Sequence, residues 1–305
     1  MILCCGESLI DLVPDGDRYH ARPGGGAFNT AVALGRLGAA AGYLWPLSTD
    51  SFGATLRGVL DEAGVDTRLC PQTDRPTALA VVTLRGGEAS YGFYEDGTAA
   101  RVLDRDHLPE LPAQMRALVI GGISLIDPGT GAAIEELARR AYHTGRMVML
   151  DPNIRPALIA DPDMLRDRMS RLLRLAHIVK LSSDDLEWLM PGATPAEAAQ
   201  RVIRKGASLM CHTHGASGAT AYRWKTSVHA KAQTAQVADT IGAGDTFNAG
   251  FLAGLAEAGV LTVEGLRQAA TPVLQAALAL GTRAAAVTVS RPGADPPWRD
   301  ELGLP

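Results

Sequence analysis

The chain has 305 residues, with 33 acidic side chains against 29 Lys and Arg, a formal charge of −4 and 47% hydrophobic residues. That length serves one large α/β domain or two small ones. The slight negative charge offers no general attraction to nucleic acid or an anionic membrane, and no run approaches the length of a transmembrane helix.

Residues 1–5 read as a first strand. With no basic stretch before them and an acid at Glu7, they do not read as a signal peptide. A polar stretch follows at 13–23. Residues 29–37 are small and apolar at helical spacing and stop at Gly38, 41–47 are strand-like, and 52–63 form a helical pattern closed by Gly64. Residues 76–84 and 89–94 read as two strands joined by a glycine turn at 85–88. Strand and helix then alternate: strand 117–121, helix 130–144, strand 147–150, helix 163–175, strand 177–181, helices 184–189 and 195–205, strand 208–213, and helices 245–258 and 263–279. Such alternation predicts a mostly parallel sheet covered by helices on both faces, with ligands at the carboxyl ends of its strands. The hairpin 76–94 and the stretch 13–23 break the alternation and predict a small separate sheet covering those ends. No linker sets it apart, so both are insertions into one domain.

Cys4 and Cys5 are adjacent while Cys70 and Cys211 stand alone, neither a disulfide framework nor a zinc pattern, which favours a reducing cytoplasm. His212 and His214 alternate along a strand end with no second ligand pair nearby, which fits a strand better than a metal site. No P-loop, nucleophile elbow or His-Glu-x-x-His pattern is present, and the glycines at 24–26 lack the last member of a dinucleotide fingerprint.

The most telling stretch is Asp239-Thr240-Ile241-Gly242-Ala243-Gly244-Asp245-Thr246-Phe247, a small-residue loop running into a buried helix. Free amides at a helix start form an anion site, and glycine lets a phosphate approach the backbone. An aspartate there would repel a phosphate it merely bound. It makes sense if it takes a proton from a hydroxyl attacking that phosphate. The competing explanation is an ordinary capping Asp after a glycine turn. Four other clusters follow successive predicted strands: the acids of Gly6–Asp11, suited to sugar hydroxyls; Pro23-Gly24-Gly25-Gly26-Ala27-Phe28-Asn29; Asp151-Pro152-Asn153-Ile154-Arg155; and Thr213-His214-Gly215-Ala216-Ser217-Gly218. Each alone also reads as a surface turn or cap. Their shared position after successive strands argues against coincidence.

In that order these motifs resemble the ribokinase-like (PfkB) carbohydrate kinases over essentially the whole chain. Pro23-Gly24-Gly25, Ser51-Phe52-Gly53, Phe93–Ala99 and Val179-Lys180-Leu181-Ser182 are most similar to the bacterial fructokinases within that family. The resemblance implies an α/β three-layer sandwich with a mostly parallel central sheet and a small β-sheet lid: one domain over 1–305, with lid insertions at roughly 12–24 and 76–100. It implies ATP as donor, Mg2+ with it, K+ as a monovalent cation, fructose 6-phosphate as product, and a homodimer paired through the lid. By the same resemblance Asp245 is the general base, Gly242, Ala243 and Gly244 form the anion hole, and Arg155 serves both phosphate and sugar. Asp11, Gly24, Gly25, Asn29 and Phe93 hold the sugar. Lys180, Ser182, Thr213, Gly215 and Gly218 serve the nucleotide with Gly242 and Gly244, and residues 284–294 supply the adenine wall. Asp185 organises Mg2+ through water, and Asp239 and Ile241 hold the monovalent cation.

Two positions depart from the family pattern. Ser182-Ser183-Asp184-Asp185 stands where many relatives have Asn-x-x-Glu, and Glu95 stands where relatives often carry a basic lid residue. Three functions follow in order: a fructokinase; a kinase for another sugar, above all 2-keto-3-deoxygluconate, whose carboxylate needs Arg101 or Arg155; and a non-catalytic sugar or nucleotide sensor, which the intact Asp245 and cradle disfavour.

Overall fold

A computed structural model describes residues 1–85 and 88–303. The chain runs through β1 (Ile2–Cys5), β2 (Leu9–Asp15), β3 (Arg18–Gly24), α1 (Gly26–Arg36), β4 (Ala41–Leu44), β5 (Leu47–Ser48), α2 (Ser51–Glu62), β6 (Gln72–Thr73), β7 (Leu79–Arg85) and β8 (Glu88–Tyr94). It continues with β9 (Ala117–Gly121), α3 (Pro128–His143), β10 (Met147–Asp151), α4 (Pro162–Leu175), β11 (Ile178–Ser182), α5 (Ser183–Leu189) and α6 (Pro195–Arg204). The last part holds β12 (Leu209–Thr213), β13 (Ala219–Tyr222), β14 (Ser227–Ala230), α7 (Ala243–Glu257), α8 (Val263–Gln268) and α9 (Thr271–Val289).

The main sheet has the order β14-β13-β12-β11-β10-β9-β1-β4. Pairing is parallel from β12 to β4, and β13 and β14 close the far edge antiparallel. β1, β4, β9 and β10 are buried along their whole length, as strands covered on both faces must be. β1 lies between β4 and β9, with Cys4 opposite both Tyr43 and Val119. The strand order reverses there, which opens the crevice beyond the carboxyl ends where ligands of such sheets sit. The second sheet has the order β3-β2-β7-β8 and forms the lid, its pairing set by Ile10 opposite Pro23 and Leu79. Its turn glycines, Gly86 and Gly87, lie outside the described residues.

Local signals start the helices. Asp50, Asp127 and Asp161 each accept a first-turn amide of α2, α3 and α4, and Thr194 with Glu197 makes a reciprocal capping box on α6. α7 and α9 cross at glycines. A Cβ on Gly250 would stand 2.8 Å from the Gly281 Cα, and one on Gly254 2.8 Å from the Ala277 Cα.

Two expectations are corrected. The single helix 263–279 is two, because Pro272 occupies the first turn of a new helix and the chain is extended at Ala270. And one segment does reach membrane-spanning length: α9, with 19 residues and a mean hydropathy of 1.3. It is the core partner of α7, and its apolar character follows from that packing. Strands β13 and β14 were not foreseen. Cys4, Cys5 and Cys211 are buried in the sheet, and burial raises each thiol pKa well above its ordinary value.

Gly250→Val should therefore wedge α7 from α9. Urea unfolding is expected to show a loss of about 1–3 kcal/mol. An unchanged midpoint would mean that the crossing is looser than described.

Candidate active site

The carboxyl ends of β9 and β10, the start of α1 and the start of α7 converge on one cleft. Its lining includes Gly26, Thr30, Gly121, Gly122, Asp151, Asn153, Asp245 and Asn248. Helix α7 opens at Gly242, whose φ of 75° is left-handed, and where an added Cβ would stand 2.6 Å from that of Ala294. Only glycine fits both demands. Having no side chain, Gly242 provides no cap: the Ala243 amide has only a long 3.4 Å bond to the Thr240 carbonyl, and the helix start suits an anion. A Cβ on Gly244 would lie 3.1 Å from the Lys180 ammonium, which therefore stands directly beside this cradle.

Asp245 sits in the first turn of α7, 8% exposed. Asn29 of α1 donates its Nδ2 to Asp245 Oδ2 at 2.9 Å, and Thr30 Oγ1 donates to the Asp245 carbonyl at 3.4 Å. Burial raises the Asp245 pKa to about 7; the Asn29 hydrogen bond pulls it down, nearby Asp151 pushes it up, and Lys180 and Arg155 pull it down. A carboxylate so placed is half ionised near neutrality, the condition for exchanging protons with a hydroxyl.

Behind it lies a buried ion pair. Lys180 Nζ is 3.1 Å from Asp151 Oδ2, and Asn248, one turn along α7 from Asp245, donates to the same oxygen at 2.7 Å. Burial penalises both charges and draws Asp151 towards protonation. The geometry favours the ionised pair, since the Asp151 carboxylate holds Lys180 above its ordinary value despite that burial.

Asp11 is on β2, at the foot of the lid. A Cβ on Gly24 would stand 2.3 Å from Asp11 Oδ2, so glycine makes room for this carboxylate. Its pKa is raised to about 6 by burial and then by the charge of Asp239. Gly25 has φ 117°, and a Cβ there would meet the Glu7 carbonyl at 2.2 Å. Phe93 on β8 packs with Leu9, Ala78, Ala80, Ala100 and Ile123 beneath the lid. Arg155 is exposed, near enough for its charge to act on Asp245. Arg101 is paired with two carboxylates: it bonds Glu95 Oε2 at 2.8 Å and Asp127 Oδ2 at 3.0 Å.

Thr213 ends β12, two strands along from Asp151, and the turn through Gly215 closes with His214 donating its amide to the Gly218 carbonyl. A Cβ on Gly218 would stand 2.1 Å from the Ala230 carbonyl, so β14 requires that glycine, while Gly215 faces open space. Ser182 caps α5. Asp185 is buried and both its oxygens are committed, Oδ1 to the Ile154 amide at 2.7 Å and Oδ2 to Ser182. Asp239 accepts the amides of Ile241 and Gly293 and ties together the loops flanking the cradle. Among the described residues no three His, Cys, Asp or Glu side chains form a metal cage.

The sequence reading did not single out Asn248, Thr30 or the partners of Glu7. Asn248 follows Asp245 by one helical turn, a spacing that puts both on the same face. The roles of Thr30 and Glu7 arise from contacts across the chain and leave no local pattern.

The chain matches the description "pfkB family carbohydrate kinase" over residues 1–301. It is 40% identical over 267 residues to a fructokinase of Rhizobium leguminosarum bv. trifolii, covering 86% of this chain and 82% of that one. Its fold is similar to the fructokinase of Xylella fastidiosa with bound ATP, at a TM-score of 0.88, 30% identity and coverage of 99% of this chain and 96% of that one. It is also similar to the aminoimidazole riboside kinase of Salmonella enterica complexed with aminoimidazole riboside and an ATP analog, at 0.87, 27% identity and coverage of 99% and 98%. A family match over nearly the full length, joined to a helix-start cradle with a buried aspartate, leads to one conclusion: the chain belongs to the pfkB family of carbohydrate kinases.

Proposed function

We propose that the protein phosphorylates fructose to fructose 6-phosphate with MgATP. The observation that carries the reading is Asp245, a buried carboxylate with a pKa of about 7 beside an uncapped helix start. Asp245 accepts the sugar hydroxyl proton as that oxygen bonds the γ-phosphorus and the bond to the β-phosphate oxygen breaks. Amides at the start of α7, with Lys180 beside them, stabilise the charge on the transferred group. By the family resemblance Asp11 and Asn29 read the sugar hydroxyls. The 40% identity to a fructokinase supports the choice of sugar, since the fold alone resembles a riboside kinase as closely.

Asp151 and Asp185 are committed to internal partners and no protein cage is formed among the described residues. That suits Mg2+ arriving on the nucleotide, where it would neutralise phosphate charge. A cation beside Asp239 would share oxygens that already accept amides.

The rival sugar acid needs a free cation. Arg101 is paired with Glu95 and Asp127, where a substrate carboxylate would be repelled, so exposed Arg155 is the remaining candidate partner, and the 40% identity to a fructokinase favours fructose over the acid. Fructose is therefore expected to exceed 2-keto-3-deoxygluconate and aminoimidazole riboside by more than tenfold in kcat/KM, measured by ADP release at equal MgATP. A tenfold preference for either competitor would replace fructose as substrate.

Asp245→Asn should lose about 10²–10⁴-fold in turnover. In the wild type kcat/KM should fall as pH drops through about 7, as the base becomes protonated. A flat profile from pH 6 to 8 would remove Asp245 as the base.

Stability runs the other way. The folded pKa of Asp245 lies above the unfolded value, so its contribution is intact below the unfolded pKa and lost as pH rises through about 7. Asp245→Asn should then be more stable than wild type at pH 8, on the order of 2 kcal/mol, with the gain shrinking at pH 5. Urea melts at both values check it; equal gains at both would contradict the raised pKa.

A further inference from the structure

Helix α1 begins without help from its own sequence. Its N-cap is Gly25, with no side-chain cap, and no acid stands in its first turn. The missing acceptor comes from Glu7, just past β1. Glu7 is 4% exposed. Its Oε1 accepts the Gly26 amide, the first of α1, at 3.1 Å, and its Oε2 accepts the Ser124 amide, in the loop after β9, at 3.1 Å. Burial raises its pKa, and the Ser124 and Gly26 amides pull it back. A Cβ on Gly122 would stand 2.4 Å from Oε1, so the loop is shaped around this carboxylate. Glu7 thus sits where the strand order reverses and spans the two walls of the cleft.

What it holds in place bears on the reaction. Gly26 lies between Glu7 and the base: a Cβ there would be 3.6 Å from Glu7 Oε1 and 3.5 Å from Asp245 Oδ1. One turn on, Asn29 donates to Asp245, and Thr30 bonds both the Gly26 carbonyl and the Asp245 carbonyl.

We propose that Glu7 is a positioning residue for phosphoryl transfer: its two oxygens clamp the first amide of α1 to the loop after β9, and so fix where Asn29 holds Asp245. The inference rests on Asp245 being the base of a kinase. A carboxylate is required because each amide needs its own acceptor oxygen. A glutamine offers one acceptor and turns its NH2 against the other amide. The groups acting on Asp245 besides Asn29 are Asp151 and Lys180 below it, Arg155 at the rim and the neutral thiol of Cys4 on β1. None of them contacts Glu7 through a hydrogen bond. Glu95 of the lid feels the charge of Glu7 and is eased by its loss.

The test is Glu7→Gln, close in shape to the native side chain. Because the Asn29 bond favours ionised Asp245, loosening it should move the carboxyl titration upward by about half a pH unit or more, followed by 13C NMR without substrate. Turnover of whichever sugar the wild type uses best should drop about tenfold or more, with KM for ATP within about twofold. Asn29→Ala should give the same upward shift, and combining the two should add little. If Glu7→Gln does not fold, Glu7→Asp, which keeps the charge but shortens the reach, is expected to show the same shift. A folded variant with lower thermal stability but an unmoved titration and unchanged kcat would overturn the proposal and leave Glu7 a plain helix cap. The NMR arm needs no turnover, so a wild type that ignores fructose would count against the substrate assignment alone.

Discussion

A carboxylate taken out of water beside a cradle for phosphate is the constraint around which this molecule is built. Asp245 must be dry enough for its proton affinity to rise and close enough to positive groups to ionise when a substrate hydroxyl needs it. Neither condition is met by α7 alone. Dryness comes from the covering of α7 by α1 and α9. Ionisation is balanced by Asn29, Lys180 and Arg155 against the opposing charge of Asp151. The ion pair Lys180–Asp151 lets a cation remain buried next to the cradle without being an uncompensated charge, a state that typically costs several kcal/mol.

The same economy explains the glycines. At Gly242 and Gly25 the backbone takes a conformation that side chains resist, and at Gly24 and Gly122 the space is filled by the carboxylates of Asp11 and Glu7. The site therefore contains little removable bulk. Its shape comes from backbone pressed against charged side chains, and a methyl group at several positions would displace an acid.

Much of this was legible in the sequence, and the reason is locality. The glycine-rich start of α7, the Asn29 segment and the Asp151–Arg155 segment are short, contiguous and placed after strands, so their chemistry survives without knowledge of the fold. The parallel sheet followed from strand–helix alternation. What escaped depends on register or distance. The Glu7 clamp joins residues 19 and 117 positions apart. β13 and β14 are of mixed polar and apolar character, without the apolar run that marks the equally short β1 and β4. The break between α8 and α9 was readable at Pro272 but was masked by the apolar residues around it. The spacing Ser182-x-x-Asp185 is that of a capping box, and the structure shows one.

The cysteines have a practical consequence. A thiol reacts as thiolate, and burial raises all four: Cys4 and Cys5 on β1 and Cys211 on β12 are sealed in the main sheet, and half-buried Cys70 is pushed up to about 11. Alkylation of the sealed three must wait for the sheet to open. Their labelling rate thus reports the opening free energy of two separate strands, one at the reversal of strand order and one towards the antiparallel edge. The native sequence carries its own probes of local unfolding.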